Sequence, residues 1–138
     1  MLSFKYADLK KTSIGPAIQK LRNAPGLSPK TAYSIIKILR WIEKEEKIAQ
    51  SLLEKFTKEL AEKNPDGSLK TPEGQPPGSF MVPEDKKQEW EAKEVEWSAI
   101  EVSLDWDKLK AKEVLPANLT PAELAACEWM IDIEDLNS

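Results

Sequence analysis

The chain opens on an alternation of apolar and polar residues. Leu2, Phe4 and Tyr6 are separated by Ser3 and Lys5, the period of two that points successive side chains to opposite faces of a strand. A strand is therefore expected at residues 2–6. Leu9, Ile14, Ile18 and Leu21 then follow helical spacing, but Gly15-Pro16 lies inside the run. Proline lacks a backbone donor and its ring clashes with the preceding turn, so the pattern predicts a break near Ser13 and a helix over about 15–23. Asn23-Ala24-Pro25-Gly26 is a turn.

Ser28-Pro29 supplies a helix cap followed by proline at the first helical position, where its fixed φ suits the helix. No Gly or Pro interrupts the sequence from there to Lys63. Ala32, Ile35, Ile36, Leu39, Ile42, Ala49, Leu52, Leu53, Phe56 and Leu60 recur every third or fourth residue, which predicts one amphipathic helix over 29–63, roughly 50 Å long at about 1.5 Å per residue. Glu43-Lys44-Glu45-Glu46-Lys47 interrupts its apolar stripe, leaving the middle more exposed than either end.

Asn64-Pro65-Asp66-Gly67 ends that helix, because proline cannot continue it and Asp-Gly suits a tight turn. Pro72, Gly74, Pro76, Pro77 and Gly78 make residues 68–79 a loop, across which Leu69 and Phe80–Val82 are candidates for a small hairpin. Pro83-Glu84-Asp85 opens a helix over 84–99, its acids meeting the helix dipole. Trp90 and Trp97, with Val95 as a further candidate, form its inward face against the long helix. Ile100, Val102, Leu104 and Trp106 alternate with Glu101, Ser103 and Asp105, so a strand at 100–106 is expected. Its natural partner is the strand at 2–6, since a lone strand leaves backbone groups unpaired. Thr120-Pro121-Ala122-Glu123 is a capping box opening a short helix over 121–130, and the acidic tail 132–138 is expected to pack lightly. Together these elements predict one α+β domain over 1–138, predominantly helical. A long helix stands in an antiparallel helical hairpin, beside a small two- or three-stranded β-sheet.

Composition removes most catalytic chemistries. The 138 residues include no His and one Cys, Cys127. Ser-His-Asp and Cys-His catalysis, His-ligated metals, internal disulfides and Cys-x-x-Cys pairs are thereby excluded. Neither a signal-peptide apolar run nor a stretch of about 20 apolar residues is present, so a soluble intracellular protein is expected, with no membrane partner. The net charge of −4 hides an asymmetry. Residues 1–40 carry eight basic side chains against Asp8 alone, for +7, whereas residues 84–138 carry fifteen acidic and six basic, for −9. The basic charges stand singly among apolar residues, without an Arg cluster or aromatic ladder. The favoured reading is attraction between the two ends of the chain, within the fold or between copies, over nucleic-acid binding.

The remaining candidates have simple structural readings. The carboxylate pairs Glu43/Glu46, Glu91/Glu94 and Asp105/Asp107 lie among lysines and read as solvated faces. The five Gly stand apart, with no phosphate loop, and Asp105-x-Asp107 lacks a calcium-loop continuation. Cys127 reads as a small packing residue. Among the five Trp, Trp90, Trp97 and Trp106 are assigned to the core. Trp41, beside Ile38 on the long helix, and Trp129, near Ile131, are the candidate interaction residues, because Trp anchors many interfaces. No cofactor, metal or catalytic residue is expected.

Several segments, in this order, resemble small proteins encoded by tailed bacteriophages and prophages. They are Leu27-Ser28-Pro29-Lys30-Thr31-Ala32-Tyr33 before a long Glu/Lys-rich helix, Asp66-Gly67, Trp90 and Trp97 around Glu94, Glu101-Val102, and Leu119-Thr120-Pro121-Ala122-Glu123-Leu124. The chain departs from that pattern in its longer Pro-rich loop at 72–79 and in Trp where Phe or Leu is usual. The resemblance implies a phage setting and brings no catalytic residues. The expected function is non-enzymatic: protein–protein interaction in virion structure or assembly, with copies of itself or another phage protein as partner, in the host cytoplasm or the virion. Alternatives are an inhibitor of a host enzyme or defence system using the acidic C-terminal half, a weak nucleic-acid binder using the basic first 40 residues, and, least favoured, a small carboxylate enzyme.

Overall fold

Helix predominates, at 58% of the described residues, and the strands form only two-stranded sheets. The chain is thus α+β and mainly helical. The computed structural model describes residues 1–76 and 79–134. In chain order the elements are β1 (Leu2–Lys5), α1 (Ile14–Asn23), α2 (Pro29–Leu60), α3 (Lys87–Ser98), β2 (Glu101–Leu104), β3 (Leu109–Lys110), α4 (Pro121–Ala126) and β4 (Ile131–Asp132). Short 3-10 turns cover Tyr6–Lys10, Glu84–Lys86 and Ala111–Ala117. The chain divides into two compact units, Met1–Glu46 with Ile100–Ser138 and Lys47–Ala99.

In the first unit β1 pairs antiparallel with β2, Leu2 opposite Leu104 and Phe4 opposite Val102. The alternation is real: Leu2, Phe4 and Tyr6 are buried while Lys5 is exposed. β2 is shorter than the 100–106 expected, because the Trp106 N–H turns back to the Leu104 carbonyl at 2.9 Å. A second pair, β3 with β4, is parallel and joins Leu109 to Ile131. Two residues per strand carry no readable period, so this sheet left no trace in the hydrophobic pattern.

α1 begins at Ile14 with Ser13 at its cap, which places Pro16 in the first turn. The first four N–H groups of a helix have no intrahelical acceptor, so the missing donor costs nothing there. Ile14, Ala17 and Leu21 are buried, and α1 packs on α4 and the turn at Ala111–Ala117. α2 opens on Ser28, whose Oγ accepts the Thr31 N–H at 3.2 Å, and in this unit it buries Ile35, Ile38, Leu39 and Ile42. α4 has the reciprocal cap expected of it: Thr120 Oγ1 accepts the Glu123 N–H and Glu123 Oε1 accepts the Thr120 N–H. It stops at Ala126, well before residue 130. The N–H groups of Met130 and Ile131 both return to the Cys127 carbonyl and turn the chain into β4.

In the second unit α2 ends at Leu60, short of Lys63, because residue 62 is drawn into extended pairing. The Glu62 N–H donates to the Met81 carbonyl at 3.0 Å, and the Glu62 carbonyl accepts the Lys70 N–H at 2.9 Å. Leu69 bridges Lys63. The hairpin expected between Leu69 and Phe80–Val82 is therefore replaced by two segments attached to one residue at the helix end. Between them Asp66 Oδ1 accepts both the N–H and the hydroxyl of Ser68, closing the turn and holding the Asp66 carboxyl below its ordinary range.

Side-chain contacts link α3 to the second half of α2. Trp97 Nε1 donates to the Ala49 carbonyl and Trp90 Nε1 to Thr57 Oγ1, each at 2.9 Å, while Lys93 approaches Glu59 at 3.9 Å. Trp97 is buried, but Trp90 is only half-buried, and Val95 points away at 71% exposure. A helix that turns Trp90, Lys93 and Trp97 toward α2 must turn residue 95 outward. The expected loop at 68–79 includes residues 77 and 78, and the acidic tail includes 135–138; these lie outside the described residues. No helix among the described residues is long and apolar enough to cross a membrane.

Candidate docking groove

The four residues singled out for interaction divide into two buried and two half-buried side chains. Ile38 and Ile131 are core residues, 0% and 1% exposed, and are out of reach of a partner. Ile38 falls in the middle of the stripe that α2 turns inward, and Ile131 is fixed by its pairing with Leu109. Trp41 and Trp129 are half-buried and close on Phe4, their rings 4.9 and 4.8 Å from its centroid and 6.1 Å from each other. The three rings form one aromatic cluster against β1. Trp106 is half-exposed rather than buried. It stands beside exposed Tyr33 at 5.9 Å, and the Lys37 ammonium lies 5.3 Å over its ring.

The chemistry-bearing groups are likewise explained by packing. Cys127 is fully buried, and its thiol is pushed up to about 12, first by burial and then by the Glu123 charge. A nucleophilic cysteine needs the opposite shift. Glu43, Glu46, Glu91, Asp105 and Asp107 are all exposed. Among the described residues no group of three or more His, Cys, Asp or Glu is placed to hold a metal ion.

An open groove lies where the end of α1 runs into the start of α2. The turn at Pro25-Gly26, with Gly26 at φ 72°, reverses the chain between them. The end of α1 and the first turns of α2 then enclose an open cavity of about 480 Å³. Leu21, Leu27, Ala32, Ile35, Ile36 and Leu39 form its apolar lining. Ile35 and Ile36 lie about 100° apart on α2, and only the first of them is covered. Ile35 is buried, while Ile36 stays 51% exposed at the groove's edge. That doublet was the signal available in the sequence, where it read simply as part of the stripe. At the polar rim Arg22 is ion-paired with Glu43. Arg40 is exposed and has no carboxylate partner among the described residues.

The cavity falls in the size range of ligand clefts, about 300–1,000 Å³. A lining that is almost wholly aliphatic, with charges only at the rim, is suited to receiving apolar side chains, and holds no convergent polar groups for chemistry. No family model, curated protein or solved structure matches the chain.

Proposed function

We propose that the protein is a non-enzymatic interaction module that takes apolar side chains of a protein partner into the groove between α1 and α2, and that this docking serves phage particle assembly. The observation carrying the reading is Ile36, 51% exposed on the lip of an open aliphatic cavity. Covering such a side chain contributes up to about 1.5–3 kcal/mol, and a groove of this shape is the receiving half of helix-in-groove recognition. The antiparallel order of the α2–α3 contacts supports a helical hairpin as the scaffold of the second unit. Exposed carboxylates and a buried, hard-to-ionise thiol support a role without chemistry. The resemblance to small phage proteins supports the setting, in the host cytoplasm during assembly or in the virion, with copies of the chain or another phage protein as partner.

The test is recovery of the protein in purified virions and assembly intermediates, for the natural chain and for Ile36→Glu. The natural chain is expected to be recovered and the variant lost from both. Absence of the natural chain from every such fraction, or recovery indifferent to Ile36, overturns the reading.

A further inference from the structure

The second unit carries an exposed apolar strip flanked by carboxylates. α3 faces the second half of α2 with Trp90, Lys93 and Trp97; its opposite side is open. At about 100° per residue, Ala92, Val95 and Ala99 fall on one strip, with Glu91 on one flank and Glu96 on the other, about 140° apart. All five are exposed, Val95 at 71%, and neither Glu91 nor Glu96 has an ion-pair partner among the described residues. The alanines on either side of Val95 let another helix surface come close to the α3 backbone. Charge favours the pairing. Residues 84–99 hold six acidic and three basic side chains, whereas residues 1–40 hold eight basic and one acidic, and the unpaired cation of the groove, Arg40, is the natural partner for Glu91 or Glu96.

We infer that the occupant of the groove is α3 of a second copy of this chain, with Val95 entering between Ile36 and Leu39 and an α3 glutamate meeting Arg40. The inference rests on the docking reading above and deepens it by naming the partner. Because the giving and receiving surfaces differ, the contact is heterologous: every copy offers one of each, and association propagates to a ring when the rotation closes or to a filament when it does not. A helix of 12 residues in a groove buries less than the roughly 1,200 Å² of a stable pairwise interface. Single contacts are therefore weak and salt-sensitive, and closed or templated assemblies gain from avidity.

The experiment is sedimentation velocity and native mass spectrometry of the full chain over a concentration series, at low and high salt, for the natural protein, Val95→Arg and Ile36→Glu. Both altered side chains are exposed, and unchanged far-ultraviolet circular dichroism confirms that each variant folds. The natural chain is expected to form concentration-dependent oligomers that dissociate with salt, and each variant to associate at least about tenfold more weakly. Mixing the two variants is the decisive arm. Val95→Arg keeps an intact groove and Ile36→Glu an intact α3, so the mixture forms 1:1 dimers and nothing larger. A natural chain monomeric at every concentration, a dimer sensitive to Ile36 but not to Val95, or variants that fail to complement each other overturns the inference. If the chain is monomeric yet enters particles in an Ile36-dependent way, docking stands with a different partner. If it self-associates but particle recovery ignores Ile36, docking in assembly fails instead.

Discussion

Lys20 Nζ stands 2.6 Å from Glu123 Oε1, joining α1 to the first turn of α4 across 103 residues of sequence. Glu123 is only 4% exposed, and its Oε2 is buried with no hydrogen-bond partner among the described residues. One carboxylate thus completes the α4 cap and closes the first unit. Lys20 reinforces the link by donating to the Asn118 carbonyl at 3.4 Å, at the one non-glycine residue of left-handed backbone among those described, φ 58°.

The hydrogen bond from Lys20, and after it the Thr120 backbone N–H, holds the Glu123 carboxyl below its ordinary range. A depressed folded-state value means stability that is present above the ordinary carboxyl range near pH 4.3 and lost as pH falls through the folded value. Thermal unfolding between about pH 7 and pH 2 should show this acid limb. Glu123→Gln, which keeps a capping side chain, is expected to flatten it, and Lys20→Met to move it to higher pH. An acid limb identical in all three proteins contradicts the assignment.

Trp97 should be the most sensitive position of the second unit. It is buried, and its Nε1 donates to the Ala49 carbonyl. Trp97→Ala removes a large side chain from a packed site, at a cost of about 3–5 kcal/mol. Trp97→Phe loses chiefly the hydrogen bond, about 1 kcal/mol. Val95→Ala, two residues away on the open side, should stay within about 0.5 kcal/mol. Urea midpoints of the three variants give the ranking directly.

Thr120→Ala should cost about 1 kcal/mol and Thr120→Ser much less, because only a side-chain oxygen can accept the Glu123 N–H at 3.2 Å. The difference should appear in the melting temperature of the full chain. Equal destabilisation by both substitutions would mean that the threonine methyl, rather than the cap, matters.

Cys127 reports on opening of the first unit. With the thiol fully buried and raised to about 12, alkylation at pH 8 requires exposure of the site, so its rate should rise with urea in step with unfolding. Labelling of the folded chain at the rate of a free thiol would place Cys127 at the surface.

Local features of the fold were legible because their causes are local. Ser28-Pro29 and Thr120-Pro121-Ala122-Glu123 start helices through bonds within one turn, and Leu2, Phe4 and Tyr6 need only a pleat to face one way. Even Gly15-Pro16, awkward in the middle of a helical pattern, resolves once α1 starts one residue earlier. Where the candidate interaction residues come to rest is something spacing cannot express: Ile38 and Ile131 are core, while Trp41 and Trp129 are half-buried. Trp41 was chosen as an aromatic beside the isoleucines of the long helix, but Phe4 of β1 packs against both it and Trp129. Trp106, assigned to the core, lies beyond the last paired residue of β2 and stays half-exposed.

Periodicity and capping chemistry act over one to four residues, so the order of α1, α2, α3 and α4, the β1–β2 strand residues and the charge asymmetry were all written in the chain. Which of two adjacent isoleucines is left uncovered, which face of α3 stays open, that residues 109–110 find 131–132, and that Lys20 meets Glu123 depend on where distant segments come to rest. Burial is a property of neighbours, and neighbours far apart in sequence are settled only by packing. The groove at Ile36 and the strip at Val95 both belong to that second kind.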